Sequence, residues 1–384
     1  MAYNFDRFVG RIAAIRPASG LFDDQIVEVE VHDWIASLAT SELGIREIET
    51  NKRADEALTT ALTAAIFQPE RIDFDTGLET FLEVFNTDAP NTSLASFFQK
   101  MARNEWGRIY QTGDGTLIFE NRTHRQNIVD PAFALNSEMS EFDIEYDKTA
   151  IRNIIQVIVQ TATTDAADIT LWSLPGAPAI LSGQTLTFEC AYTDPDTEVK
   201  ISAIDVDDPP FYEFGSVQNF TSDDMHADLV VAMEIGANKA KVFLTNTAAT
   251  TGYLNDLQLT GKGIHLNDPI LIERRNEDSI YSGIGEQRLV VWLEQITDLG
   301  TAENRANELL AEYGAPIGRP IWLSFCASQD PALAYAALNI EPSTRFAVSE
   351  SITEANRDYY VERVAFRMDG PYLWVDILAS PEGD

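Results

Sequence analysis

Positive charge is what this sequence has least of for its size. Against 61 Asp and Glu stand 27 Lys and Arg, only seven of them Lys, for a formal net charge of −34. Affinity for nucleic acid comes largely from Lys and Arg displacing counterions, so a repressor or a nuclease that grips phosphates is not expected. The same surplus fits a wall past which DNA must move without sticking, because like charges repel the duplex. Adaptation for solubility or salt is the plainer reading. Cysteine is nearly absent: Cys190 and Cys326 stand alone, outside any CxxC pair, and are expected to be buried thiols rather than a bridge. No apolar run of 18 residues occurs, and no basic start followed by an apolar stretch, so neither a membrane span nor an export signal is visible and a soluble protein made in the cytoplasm is expected. Histidine is equally sparse: His32, His124, His226 and His265 have no partner at metal-binding spacing.

What is present reads as mainly β with a few helices. Over 384 residues, roughly two to four domains are expected. In DQIVEVEVHDW, Ile26, Glu28, Glu30 and His32 alternate with Val27, Val29, Val31 and Asp33, a half-buried strand pattern that pairs with FDRFVGRIAAIRP across the turn-rich PASGLFDD. Two strands alone are not stable in water, so this pair is expected within a barrel or sandwich. Asn51 to Phe67 turns helical, with Asn51 as the expected N-cap and a stripe of Ala54, Leu58, Ala61, Leu62 and Ala65. RIDFDTGLETFLEV is read as strand. A second helix spans Ser93 to Trp106 with Leu94, Phe97, Phe98, Met101 and Ala102 on one face and Gly107 as its stop. Arg108 to Gln111 and Thr116 to Arg122 flank Gly113, Asp114 and Gly115, a hairpin signal and not a phosphate loop, since no helix or Lys follows. From Leu171 to Asn246 the chain is read as β, with Cys190 on the apolar face of QTLTFECAY. A further helix takes Thr301 as N-cap, Ala302, Ala306, Leu309, Leu310 and Tyr313 as apolar face, Gly314 as stop and Pro316 as breaker. ALNIEPSTRFAVSES and DYYVERVAFRMDGPYLWVDILA read as three or four closing strands with turns at Glu341 to Ser343 and Asp369 to Pro371.

Chemistry leaves few candidates. In residues 194–208, Asp194, Asp196 and Glu198 have the spacing of a calcium loop, but Val199 and Asp205 replace the required Gly and Glu, so an ordinary loop is expected ahead of structural calcium. No acid stands in a distinctive glycosidase motif, no G-x-S-x-G elbow occurs, and Gly283 and Gly285 form a lone G-x-G. No catalytic residue, cofactor site or metal site is assigned, and no enzyme is expected. Tyr359, Tyr360, Tyr372 and Trp374 cluster near the C-terminus as core or subunit-interface residues, with a sugar platform the weaker reading.

The succession of these elements, with EWGRIYQTGDGTLIFENR, the Y-D-x-x-x-I-x-N-x-I core that follows, LQLTGKGI and the helix after it, resembles the tail hub proteins of long-tailed bacteriophages from Phe8 to Leu378. That resemblance implies a mainly β, α+β architecture of tube-type β-barrels with a helical α+β insert. The expected parts are an N-terminal barrel part at 1–49, an insert at 50–136, a β-rich domain at 137–270 and a C-terminal α+β domain at 271–384. It implies a structural protein of the virion tail: a homotrimeric tail-tip or baseplate hub ring that joins the tail tube or distal tail protein to the fibre and tip proteins and lets DNA pass. Acidic residues are expected on the inner wall of such a ring. Only seven residues precede FVGRIAAI, where related hubs have more β-sequence, which implies a first barrel that is shortened or completed by a separate chain. A tail-associated glycan-binding module or cell-wall hydrolase is the alternative.

Overall fold

Three caps and stops show how local chemistry sets the elements in this computed structural model. It describes residues 8–18, 26–86, 92–145, 151–218, 225–294, 296, 298–314, 319–353 and 355–381, so all but the first two residues of the turn PASGLFDD, much of Y-D-x-x-x-I and Pro316 lie outside the described residues. Leu94–Glu105 is helical from the Ser93 cap, whose side chain accepts from Ser96 N–H, to Trp106, which turns left-handed at φ 60°. Gly107 follows because the carbonyl oxygen of Glu120 would sit 2.2 Å from any Cβ there. The helix Leu299–Tyr313 begins three residues before the expected Ala302 start, because the Asp298 carboxylate, not Thr301, accepts the first-turn N–H, that of Thr301 itself, at 2.6 Å. Asn51 likewise caps nothing. It holds φ 55° inside the strand Glu49–Arg53, and the helix Ala54–Leu62 starts where Glu56 reaches back to Arg53 N–H at 2.9 Å.

The chain is mainly β, an α+β protein of several open sheets over three main cores. The first core gathers the helices Trp34–Leu38, Ala54–Leu62 and Leu94–Glu105 with the strands around them, and continues into a three-stranded sheet carrying the helix Leu299–Tyr313. In that sheet Ile154–Val159 lies between Ile270–Arg275, antiparallel, and Arg288–Leu293, parallel. Its inner face, Ile155, Val157, Val159, Ile272, Val291 and Leu293, is buried in this core. RIDFDTGLETFLEV is two strands in two sheets: Arg71–Phe74 runs parallel to Thr116–Glu120, whereas Thr80–Val84 pairs with Glu49–Arg53. The hairpin Arg108–Gln111 with Thr116–Glu120 forms as its Gly113-Asp114-Gly115 turn requires.

The second core is β throughout. The strand Gly252–Leu266 pairs along its 15 residues with five others, among them Ile169–Ser173 and Phe211–Gly215. Gly252 is obligatory there, since a Cβ would lie 2.0 Å from the Phe214 ring. Cys190 is fully buried and free in this core, and burial pushes its thiol up to about 12; Cys326 is buried and free in the next.

The third core closes the chain in a six-stranded sheet ordered Phe133–Leu135, Arg345–Glu350, Ala355–Asp369, Tyr372–Pro381, Arg319–Cys326, Met139–Glu145. One helix in it, Pro331–Asn339, has no counterpart in the strand reading of ALNIEPSTRF. Asp330 caps it, Pro331 takes its first turn, and Leu333 and Ala337 pack on the sheet. The turns at Ser343 and Gly370 form as expected, with φ 66° and 56°.

The N-terminal pair departs most from expectation. Arg11–Ala18 and Ile26–His32 form an antiparallel ribbon, and the side that carries Val27, Val29 and Val31 is exposed instead of half-buried.

Candidate interface surfaces

Register decides which side chains the ribbon presents. Ile12 faces Val31, Ile15 faces Val29 and Pro17 faces Val27 on one side; Arg16 faces Glu28, Ala14 faces Glu30 and Arg11 faces His32 on the other. The polar side neutralises itself, with Arg16 on Glu28 at 3.3 Å and Glu30 at 2.5 Å, and His32 on Glu30 at 2.9 Å. These two hydrogen-bonded partners, His32 first and then Arg16, hold the Glu30 carboxyl below its ordinary value. The apolar side keeps Ile12, Ile15, Val27, Val29 and Val31 between 37% and 63% exposed.

A second uncovered apolar face lies on the three-stranded sheet, opposite the helix Leu299–Tyr313. Leu271 and Trp292 flank Ile158 in one row, and Val290 neighbours Gln156 in the next. Leu271, Val290 and Trp292 are each more than half exposed.

The four aromatic candidates near the C-terminus do not form one surface. Tyr359 is buried in the closing core beside Phe346 and Phe142, at ring distances of 6.0 and 6.4 Å. Tyr360 points the opposite way and is buried as well, because the turn Arg125–Asn127 covers it: its hydroxyl donates to the Arg125 carbonyl at 2.6 Å, and the guanidinium stands 5.0 Å over its ring. Tyr372 is exposed at the hairpin tip, and Trp374, half-buried, carries the Arg367 guanidinium 5.6 Å above its ring. A sugar platform would need adjacent exposed rings, and burial of Tyr359 and Tyr360 removes two of the four.

The cover over Tyr360 is part of a joint that no sequence signal announced. Arg125, itself buried, makes a two-pronged pair with Glu362 at 2.5 and 3.1 Å and donates to Ser343 at 3.0 Å and Ser380 at 3.1 Å. Ser343 donates in turn to the buried Glu120 at 2.5 Å, which also accepts from Tyr110 at 2.6 Å. Burial works to raise the Glu362 carboxyl, yet the Arg125 and Ser380 hydrogen bonds and the Arg125 charge bring it below its ordinary value. Burial and the neighbouring Glu120 push the Tyr110 hydroxyl strongly up. The insert hairpin is thereby bolted to the closing sheet by polar groups, each supplying what the other needs.

Residues 194–208 hold a closed turn. Asp194 accepts from Asp196 N–H and the Thr197 hydroxyl, both at 2.8 Å, and these bonds, the first foremost, keep its carboxyl below its ordinary value. Its oxygens are thus engaged in shaping the loop. Gly283 and Gly285 sit in a left-handed kink between strands, with no βαβ unit around them. Among the described residues no helix is long and apolar enough to cross a membrane.

No protein-family model and no curated protein matches the sequence. Solved structures do match. The tail protein from Neisseria meningitidis MC58 superposes with a TM-score of 0.54 at 10% identity, over 98% of this chain and 81% of that one. The 43 kDa tail protein of prophage MuSo2 from Shewanella oneidensis gives 0.52 at 8% identity, over 96% and 77%. Across nearly its whole length, this chain has the fold of these two tail proteins.

Proposed function

We propose that this protein is a structural component of a phage tail that assembles as a hub ring, a homotrimer joining the tail tube or distal tail protein to the fibre and tip proteins, with DNA passing through its centre. The observation that carries the proposal is the fold match over 98% and 96% of the chain to proteins of phage-tail type. That is an argument by fold-level analogy, and two physical features support it. The ribbon and the three-stranded sheet each leave an apolar face uncovered, as subunits that complete one another do. The net charge of −34 suits a channel wall that must not hold DNA, and the acidic surplus is expected on the inner wall of the ring.

Light scattering and negative-stain imaging of the purified protein at near-physiological salt test the reading. A three-fold ring with an open centre is expected. A monomer that stays compact at every concentration and does not join a tail tube or distal tail protein overturns it. A neutral or basic lumen in a reconstructed ring overturns the charge assignment alone.

A further inference from the structure

We propose that the N-terminal ribbon docks through its apolar face onto the outer face of the three-stranded sheet of the next copy of this chain, completing a β-sandwich between subunits. The proposal rests on the ring reading above and names the contact that builds it.

An isolated two-stranded ribbon with one bare apolar side is not stable in water, so its face requires a cover. The cover must be apolar, with any charge beside it already paired. The ribbon's charged side chains sit on the far side, where Arg16, His32, Glu28 and Glu30 pair and Arg11 lies over the Phe67 ring at 3.3 Å, while Ile12, Ile15, Pro17, Val27, Val29 and Val31 offer shape and no charge. A basic partner would be held by the acidic remainder of the surface, not by this face. This chain itself carries a surface of that kind: the row Leu271, Ile158, Trp292 with Val290 beside it, where the acid of the same face, Glu273, is engaged by Gln156 at 2.7 Å and Arg275 at 3.4 Å, on a sheet whose other side is sealed by the first core. Two sheet faces of this type pack about 10 Å apart with their side chains interleaved. Within one protomer both faces remain exposed, so the fold does not bring its own ribbon onto its own sheet.

Electrostatics favours these two faces over other self-contacts. Two copies that each carry −34 repel wherever acidic surface meets acidic surface, and they meet at least cost where each side is apolar or has its charges already paired, as Glu273 is with Arg275 and Glu286 with Arg275 and Arg288. The ribbon face exposes Ile12, Ile15, Val27, Val29 and Val31 together, a contiguous apolar patch of the kind that marks an interface. Because the two patches differ, the contact is head-to-tail, and a head-to-tail contact that closes makes a ring.

Engineered disulfides test the contact in the full chain. Cys190 and Cys326 are buried and stay out of the reaction. Val29→Cys is combined in turn with Leu271→Cys, Val290→Cys and Trp292→Cys, and the proteins are oxidised mildly. At least one pair is expected to give a covalent ladder ending at the ring species. Mixing Val29→Cys chains with chains carrying only the matching sheet cysteine is expected to give a crosslinked dimer. Ile15→Asp, with an unchanged circular-dichroism spectrum, is expected to weaken self-association on the order of a hundredfold. If the wild type forms a ring but no pair crosslinks and Ile15→Asp assembles normally, ribbon docking is overturned and the ring reading stands. Efficient dimers of Val29→Cys alone overturn docking in favour of ribbon against ribbon. A wild type that is monomeric at every concentration and does not join a tail tube or distal tail protein overturns both.

Discussion

Two antiparallel hairpins sit at opposite ends of this chain, and they meet opposite fates. In the C-terminal one, Ala355–Asp369 with Tyr372–Pro381, the alternating residues Tyr359, Val361, Val375 and Ile377 are fully buried under the helix Pro331–Asn339 and the neighbouring strands. In the N-terminal one, residues of the same type at the same alternation lie open. Strand pattern specifies which face seeks cover; it does not specify whether the chain provides it. The C-terminal hairpin is also covered on its second face, where the Arg125 joint sits, so adjacent tyrosines pointing in opposite directions both end buried.

The comparison can be broken first at the covered hairpin. Phe346 packs face to face on Phe133 at 5.2 Å beside Tyr359, and Phe346→Ala is expected to cost about 3–5 kcal/mol, read as a lower denaturant midpoint. A loss below about 1 kcal/mol would mean that this core is not what holds the hairpin.

The polar cover comes next. Glu362→Gln leaves the buried Arg125 guanidinium without its counter-charge, and about 2–4 kcal/mol is expected to be lost at neutral pH. Because the folded-state carboxyl lies below its unfolded value, its contribution is complete above the unfolded value and disappears as pH falls through the folded one. The gap between wild type and Glu362→Gln should therefore close on acidification. A gap that persists or widens in acid would show that the ion pair is not its source.

The smallest effect belongs to the open hairpin. Val29→Thr keeps the β-branched shape, and in the isolated protomer it is expected to change stability by less than ~0.5 kcal/mol. A large destabilisation of the monomer would mean that the ribbon face is covered within the chain after all.

Legibility followed the range of the physics involved. The helix Leu94–Glu105 and the hairpin turn at Gly113 to Gly115 were readable because their signals, a Ser cap, a 3.6-residue stripe and turn glycines, are local. The helix Pro331–Asn339 was not, because PALAYAALN is apolar or small nearly all round and shows no stripe to distinguish it from strand. The caps shifted for a related reason. Asp298 and Thr301 are both fit to cap, and in the fold the Asp298 carboxylate does so.

The candidate surfaces divide the same way. That Val27, Val29 and Val31 share one side follows from a period of two, and the acidic surplus follows from 27 bases against 61 acids. Arg125, Ser343, Glu362 and Ser380 meet across more than two hundred residues of chain, and nothing in their local sequence foretells it. By itself the sequence determined composition, charge and the sidedness of each element, since these depend on a residue and its near neighbours. Only the tertiary structure decided which sides are sealed, because burial is set by whatever distant segment is packed against them.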